Sequence, residues 1–194
     1  MNSAARPAFR PYQYEDDYWR LRAFLREVYP TNFDGSGQQQ GSWHVARLDY
    51  ARWHVCLNCD HVTLEDVALI WEVDGSIAAL AMPDGGPGEV HIAVHPRWRT
   101  PELEDEIVRV AEERIAASTD RTGKTLTVWV HVQDRLRQQI VAARGYARAA
   151  GAGHHWRIWL DGRDGTAPNA VAGAPAVAPP IAAGYTVRSL GDGL

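Results

Sequence analysis

The sequence has few cysteines, no long apolar run and no cluster of basic residues. Two cysteines among 194 residues cannot build the disulfide framework of a small secreted protein. No apolar stretch approaches the roughly 20 residues that a membrane-spanning helix needs, and the start, MNSAARPAFRPY, lacks the apolar segment of a signal peptide. A formal net charge of −4, without a stripe of Lys and Arg, argues against a nucleic-acid surface. We expect a cytoplasmic protein.

The composition divides the chain into three parts. A hydrophobic content of 45% is ordinary for a globular protein, and the length suits one domain with a tail. Residues 162–184 are rich in Ala, Pro and Gly and carry no charge after Asp164, which predicts a linker. We therefore expect a domain over residues 1–161, a linker over 162–184 and a strand-like C-terminal tail over 185–194.

Hydrophobic periodicity predicts an alternation of strands and helices. Ser42 is the expected N-cap of the second helix, and Asp74-Gly75 is a pair typical of a hairpin turn. In the last helix, Leu136, Ile140 and Ala143 are expected to be buried. The predicted strands are Ala8–Tyr12, Val67–Val73, Ile77–Met82, Glu89–His95, Leu126–Val132 and His155–Leu160. The predicted helices are Glu15–Tyr29, Trp43–Cys56, Thr100 to about Ala117, and Asp134–Arg144.

Two motifs within this order resemble a known superfamily. The run VHPRWR at Val94–Arg99 precedes a helix, and RQQIVAARGY at Arg137–Tyr146 is similar to the helix end A-x-x-L-Y-x-x-x-G-F. Together with the element order, they resemble the Gcn5-related N-acetyltransferase (GNAT) superfamily over about Ala8–Leu160. The resemblance implies an α/β (α+β) fold with a mixed, mostly antiparallel central sheet flanked by helices. It also implies that acetyl-CoA or another acyl-CoA lies between two splayed strands, here Glu89–His95 and Leu126–Val132.

The two ends of the chain resemble each other. FRPYQYEDD at Phe9–Asp17 and YTVRSLGDG at Tyr185–Gly193 are both similar to the opening strand of a GNAT domain. The similarity implies the N-terminal half of a tandem GNAT protein. The alternative is an irregular tail with chance similarity.

The cofactor loop departs from the superfamily pattern Q/R-x-x-G-x-G/A. Arg99 matches its first position, but Glu102 and Glu104 replace both glycines. Thr100 and Pro101 suit the N-cap and first position of a helix. Glu102 and Glu104 then lie in or next to its first turn, where their carboxylates interact with the positive end of the helix dipole in place of a phosphate. A carboxylate about 6 Å from a phosphate charge opposes binding by about 3 kcal/mol at an effective dielectric of about 20. Cofactor binding is therefore expected to be weak or absent.

The residues that the resemblance assigns to the cofactor lie on the strand and the helix start. They are Ile92, Ala93, Val94, Arg97, Arg99, Thr100 and Leu103. Two further departures concern the last helix. Val141 stands where a thiolate-protonating tyrosine is common, and Asp134 stands where an asparagine often opens the helix.

Acyl transfer to an amine needs a general base. Glu89 and His91 alternate along one face of the presumed cofactor strand, and a histidine suits a base near neutral pH. The alternative for His91 is a packed, hydrogen-bonded strand histidine. His131 on the neighbouring strand could meet His91 across the sheet.

The helix after residue 42 is rich in aromatic side chains. Trp43 and His44, with His131, are the candidate substrate-binding residues, because aromatic rings hold amines by cation–π contact. Core packing is the expectation for Tyr50 and Trp53.

Soft ligands cluster at the end of the same helix. The spacing H-x-C-x2-C-x-H is formed by His54, Cys56, Cys59 and His61. Zinc favours such ligands, but this spacing is tight for a structural site. A helix end with reduced cysteines is the alternative, and we predict no metal.

Two functions remain. The first is a GNAT-like N-acyltransferase that moves an acyl group from acyl-CoA to a small-molecule amine. The second is a degenerate GNAT domain that binds a ligand or a partner without catalysis. The expected protein partner is a second copy of the chain, in a homodimer, or a second GNAT domain.

Overall fold

The structure is a computed structural model that describes residues 6–13, 15–32, 39–55, 63–83, 88–119 and 123–149. The predicted last strand His155–Leu160, the linker over 162–184 and the tail over 185–194 lie outside the described residues. The division of the chain into these parts therefore stays a prediction.

A five-stranded sheet forms the centre of the described part, in the strand order β1-β2-β3-β4-β7. Neighbouring strands from β1 to β4 are antiparallel, and β4 and β7 are parallel. Strands β5 and β6 form a separate antiparallel pair. The strands are β1 Ala8–Pro11, β2 Leu69–Val73, β3 Ser76–Pro83, β4 Glu89–Val94, β5 Ala117–Thr119, β6 Gly123–Thr125 and β7 Thr127–Val128.

Helices lie on both faces of this sheet. A π turn at Ala51–Val55 continues the second helix, and 3-10 turns lie at Tyr29–Asn32 and Pro96–Trp98. The α-helices are α1 Glu15–Val28, α2 Val45–Tyr50, α3 Leu64–Val67, α4 Pro101–Arg114 and α5 Arg135–Ala143. Among the described residues, no helix has the length and apolar character needed to span a membrane.

Side-chain alternation along the strands builds a core on each face of the sheet. Leu80 and Met82 of β3 pack with α1, whereas Ala79 and Ala81 pack with α4. On β4, the apolar residues that face α4 are Val90, Ile92 and Val94. The predicted mixed α/β fold, with a mostly antiparallel sheet flanked by helices, is confirmed.

Local sequence signals fixed the best-predicted boundaries. Asp74 and Gly75 adopt φ angles of 47° and 73° in the turn between β2 and β3. Two positive φ angles match the twist of a hairpin, and Asp-Gly tolerates them. Thr100 caps α4 as predicted, because its hydroxyl accepts a hydrogen bond from the Leu103 N–H at 3.3 Å.

Several local predictions were wrong. Tyr50 and Trp53, which were expected to pack in the core, are 56% and 54% exposed. The N-cap of α2 is His44, whose Nδ1 accepts the Ala46 N–H at 3.2 Å, and not Ser42. The strand predicted over Leu126–Val132 pairs with β4 only at Thr127 and Val128. The hairpin β5–β6 lies between the end of α4 and β7, where the sequence predicted no strand.

The burial predicted for α5 was also wrong. Leu136 and Ile140 are only half-buried and Ala143 is exposed, whereas Arg137 is completely buried. The physical reason is a set of buried carboxylates around the Arg137 guanidinium.

Candidate functional site

Strands β4 and β7 run side by side only briefly and then diverge. Their registered pairs are Glu89 with Thr127 and Val90 with Val128, followed by one hydrogen bond from the Trp129 N–H to the Val90 carbonyl at 3.1 Å. Beyond this point β7 has ended, and β4 continues to Val94. The opening between them is where the sequence predicted the cofactor.

The side chain of Gln40 occupies the edge of β4 in this opening. Its Nε2 donates to the Val94 carbonyl at 2.5 Å, and its Oε1 accepts the Val94 N–H at 2.6 Å. The Asn32 carboxamide holds the chain beside it, through hydrogen bonds to the backbone of Gly41 and Ser42 at 3.0 to 3.2 Å. A buried carboxamide thus replaces the hydrogen bonds that a neighbouring strand or a ligand amide would make.

A buried ion network lies next to Gln40, where α4 and α5 begin. Arg137 donates to both carboxylate oxygens of Glu104 at 2.9 and 3.0 Å. Arg99 donates to Glu104 at 2.5 Å and to both oxygens of Asp134 at 2.6 Å. The third donor group of Arg137, Nη1, reaches the Ile92 carbonyl at 3.0 Å. Two arginines and two carboxylates cancel in formal charge.

The two helix starts explain why carboxylates are found here. Asp134 caps α5, because its side chain accepts the Arg137 N–H at 3.1 Å. Glu104 lies in the first turn of α4, where the helix dipole favours negative charge. Burial alone raises the pKa of Glu104, but the Arg137 and Arg99 guanidiniums outweigh it and hold that pKa below its usual range.

The N-terminal amides of α4 are already used within the helix. Pro101 has no N–H, and the Leu103 N–H bonds to the Thr100 hydroxyl. The backbone N–H of Glu102 and the Thr100 hydroxyl both favour the charged form of the Glu102 carboxyl and hold its pKa below the ordinary value. These are the donors that would hold a phosphate at a helix N-terminus.

The residues present do not fit the pyrophosphate and amide groups of CoA. Among the predicted cofactor residues, Arg99 is committed to carboxylates, and the backbone of Val94 is bonded to Gln40. Ala93 faces the α1 side of the sheet, and Arg97 is exposed with its guanidinium 5.2 Å from the Trp98 ring. The sequence predicted that the Glu104 charge would repel a phosphate, but two arginines neutralise this charge. What opposes cofactor binding is instead that protein side chains already fill the opening.

The face of the sheet that packs against α1 carries an aromatic stack around His91. The Trp43 ring lies 5.5 Å from the His91 ring, and the Trp129 ring is stacked on it at 5.6 Å. Trp129 Nε1 donates to the Glu89 carboxylate at 3.1 Å. The structure therefore brings Glu89, His91 and Trp43 together as a group. It adds Trp129, which the sequence reasoning missed, although it lies within the predicted strand Leu126–Val132 and directly follows β7.

Little space remains beside this stack. A cavity of about 10 Å³ is bounded by side chains that include Leu25, Trp43, Met82 and His91. Such a volume holds about one water molecule. The half-buried His91 ring therefore lies between two indole rings.

The other predicted substrate residues lie elsewhere. His44 is exposed at the start of α2, with its ring 4.9 Å from that of Tyr29. His131 lies against Gly41, and its Nδ1 accepts the Gln133 N–H at 3.3 Å. Of the four candidate metal ligands, His54 stacks on Tyr50 at 4.8 Å, while Cys56, Cys59 and His61 lie outside the described residues.

Gln40 and Arg137 are the site residues that sequence reasoning missed most completely. Gln40 lies in a Gly/Gln-rich stretch that reads as a loop, and Arg137 stands between half-buried apolar residues of α5. The sequence does place three charged residues, Arg99, Glu104 and Asp134, beside two predicted helix starts. This pattern predicts ion pairs only if the two helices are known to be neighbours.

Comparisons with known proteins add a fold-level likeness. No protein-family model matches the sequence, and no curated protein matches it either. A solved structure of an aminoglycoside N-acetyltransferase in complex with CoA is similar, with 13% sequence identity and a TM-score of 0.47. The match covers 81% of this chain and 98% of that chain. A likeness of this size assigns no activity or ligand to this chain.

Proposed function

We propose that this chain is a GNAT-like domain that has lost acyl-CoA binding and serves as a ligand- or partner-binding module. The observation that carries the proposal is the burial of Glu104 between Arg99 and Arg137, with no exposed side-chain surface on Glu104 or Arg137. In the superfamily pattern a glycine stands at this position, so that a backbone can approach a phosphate. Here the same position holds a side chain that anchors two helices.

Opening the groove would be energetically unfavourable. Separating one partner from a buried ion pair costs about 3–5 kcal/mol, because the other charge stays buried and uncompensated. Freeing the Val94 backbone from Gln40 would leave two more buried polar groups unsatisfied, at about 1–3 kcal/mol each. An entering cofactor must replace all of these contacts, and the N-terminal amides of α4 provide few hydrogen-bond donors for its phosphates.

The resemblance between the two ends of the sequence supports a partner role. If residues 185–194 open a second GNAT domain, the first domain can lose catalysis while the second keeps it. The proposed module would then be the non-catalytic half of a tandem protein.

The second candidate is an N-acyltransferase acting on a small amine. The divergence of β4 and β7 favours it, as does the location of His91 and Glu89 on β4. This function requires the Gln40 side chain and the ion network to move aside.

Titration calorimetry with acetyl-CoA distinguishes the two candidates. We expect a dissociation constant weaker than about 100 µM, which corresponds to a binding free energy of about −5.5 kcal/mol. 3′-Phosphoadenosine diphosphate and free pantetheine, measured separately, show which end of the cofactor fails to bind. A low-micromolar constant for acetyl-CoA at moderate salt would overturn the proposal and favour the acyltransferase.

A further inference from the structure

One exposed stripe of α1 combines a tryptophan, a small residue and two charges of opposite sign. Asp16, Trp19, Ala23 and Arg26 are all exposed. Their spacing of i, i+3, i+7 and i+10 places them along one side of the helix. The buried side of α1 is formed by other residues, including Leu21 and Leu25. This side of α1 therefore lies open on the surface of the described structure.

The apolar part of the stripe continues onto the neighbouring helix. The Trp19 ring is 54% exposed and lies 5.0 Å from the Tyr18 ring. The Tyr18 ring in turn lies 6.0 Å from that of Trp53, which is also 54% exposed. Arg22 lies 5.4 Å over Trp19, and its charge is paired with Asp49. Trp19 and Trp53 are exposed and Tyr18 is buried between them, so the surface presents two tryptophans beside Arg22, residue types that are enriched in protein–protein interfaces.

The charges at the two ends of the stripe have no ion partner within the described part of the chain. This holds for Asp16 and Arg26, whereas their acidic neighbours are paired. Glu15 bonds to Arg52 at 2.6 Å, and Glu27 lies 3.0 Å from His95. The stripe therefore presents one uncompensated negative charge and one uncompensated positive charge, on either side of an apolar centre.

The pattern is symmetric about Leu21. Asp16 and Arg26 stand five residues before and after it, and Trp19 and Ala23 stand two residues before and after it. We infer that this stripe pairs with the same stripe of a second copy of the chain, with the two α1 helices antiparallel across a two-fold axis that crosses the exposed side of α1 at the level of Leu21. The arrangement places Asp16 of each copy beside Arg26 of the other. Each Trp19 indole then lies over the small Ala23 of the facing helix.

Charge complementarity selects this partner and orientation. The two end charges are about 15 Å apart along the helix, so an antiparallel copy matches both at once, and a two-fold interface repeats every favourable contact. A parallel copy would oppose Asp16 to Asp16 and Arg26 to Arg26. The inference goes beyond the closed groove and does not depend on it.

Sedimentation velocity on the full 194-residue chain tests the inference, over about 1 to 100 µM protein. We expect a dimer whose dissociation constant rises at least about tenfold in Asp16→Arg and in Arg26→Asp, since each reversal creates two like-charge contacts. The doubly reversed protein should regain the dimer, because its charges are again complementary. Trp19→Ala should dissociate it. Glu65→Arg, at an exposed position of α3, is the matched control and should leave it unchanged.

Circular dichroism and thermal unfolding establish that each variant is folded, which is expected since all four positions are exposed. A monomer at every concentration would overturn the inference. So would a dimer that both single reversals leave intact, or a double reversal that fails to restore it. If Trp19 packs against a different domain instead of a second copy, the protein sediments as a monomer, and the inference is likewise overturned.

Discussion

Arg137 and Glu104 form an ion pair with no exposed surface on either side chain, with Nε 2.9 Å from Oε2. The pair joins the first turns of α4 and α5, and Arg99 and Asp134 complete it. It lies where the superfamily pattern calls for a glycine. The same four residues therefore stabilise the helix pair and close the groove.

Removing the Glu104 charge should destabilise the protein strongly. We expect Glu104→Gln to lower the free energy of unfolding by about 3–5 kcal/mol, because two arginines lose their shared buried partner. Urea unfolding at neutral pH measures the change. Glu102→Gln, at the exposed neighbouring position, is the control and should be nearly neutral. Replacing Glu104 and Arg137 together by Leu and Met should recover much of the loss, since Arg99 keeps Asp134. A loss below about 1 kcal/mol in Glu104→Gln would contradict a stabilising network.

Stability should fall in acid. The folded-state pKa of Glu104 lies below its ordinary value of 4.5, so the folded protein binds fewer protons than the unfolded chain in this range. Its contribution is fully present above about pH 4.5 and is lost as the pH falls through the folded-state value. The pKa values of Asp17 and Glu72 are also lowered, so their contributions to stability are lost in the same direction of pH. Urea midpoints between about pH 3 and 7 measure the slope, which should be shallower in Glu104→Gln. An unchanged slope would exclude Glu104 as a contributor.

Gln40 should protect the Val94 amide. Gln40→Ala removes both hydrogen bonds to the Val94 backbone and should cost about 1–3 kcal/mol. Hydrogen exchange should show faster exchange at Val94 and little change at Ala79, its partner on β3. Acetyl-CoA should still not bind, because the ion network stays closed. Equal protection of Val94 in both proteins would show that Gln40 does not cover the strand.

The His91 ring should stabilise the fold through its contacts with the two indole rings. Loss of its contacts with Trp43 and Trp129 in His91→Ala should destabilise the protein by about 1–3 kcal/mol, at about 0.5–1.5 kcal/mol for each aromatic pair. His91→Phe keeps the stack and should retain most of the stability. If the chain transfers acyl groups, both variants should instead lose turnover by about 100-fold or more, as after loss of a general base. Thermal unfolding and an acyl-transfer assay on the same samples separate these outcomes.

Signals confined to a few neighbouring residues determined much of the fold. The apolar spacing in Glu15–Val28 and Pro101–Arg114 required helices, since those positions form one buried face. Thr100-Pro101 specified where α4 begins, and Asp74-Gly75 specified the hairpin. Each of these features depends on backbone conformations that adjacent side chains favour or forbid. The alternation of His91 and Ile92 between the two faces of β4 follows in the same way from the geometry of a strand.

The closure of the groove was decided only by tertiary structure. Gln40 and Val94 are 54 residues apart in the chain, and Glu104 and Arg137 are 33 apart. The same glutamate in the first turn of an isolated helix would face water, and the arginine of α5 would be a solvated surface charge. Packing α4 against α5 buries both groups, and burial makes pairing obligatory, because an unpaired charge in that position costs several kcal/mol. Sequence pattern placed Arg99 and Glu104 at the start of α4, and the approach of distant segments decided that Gln40 and Arg137 meet them there and fill the opening.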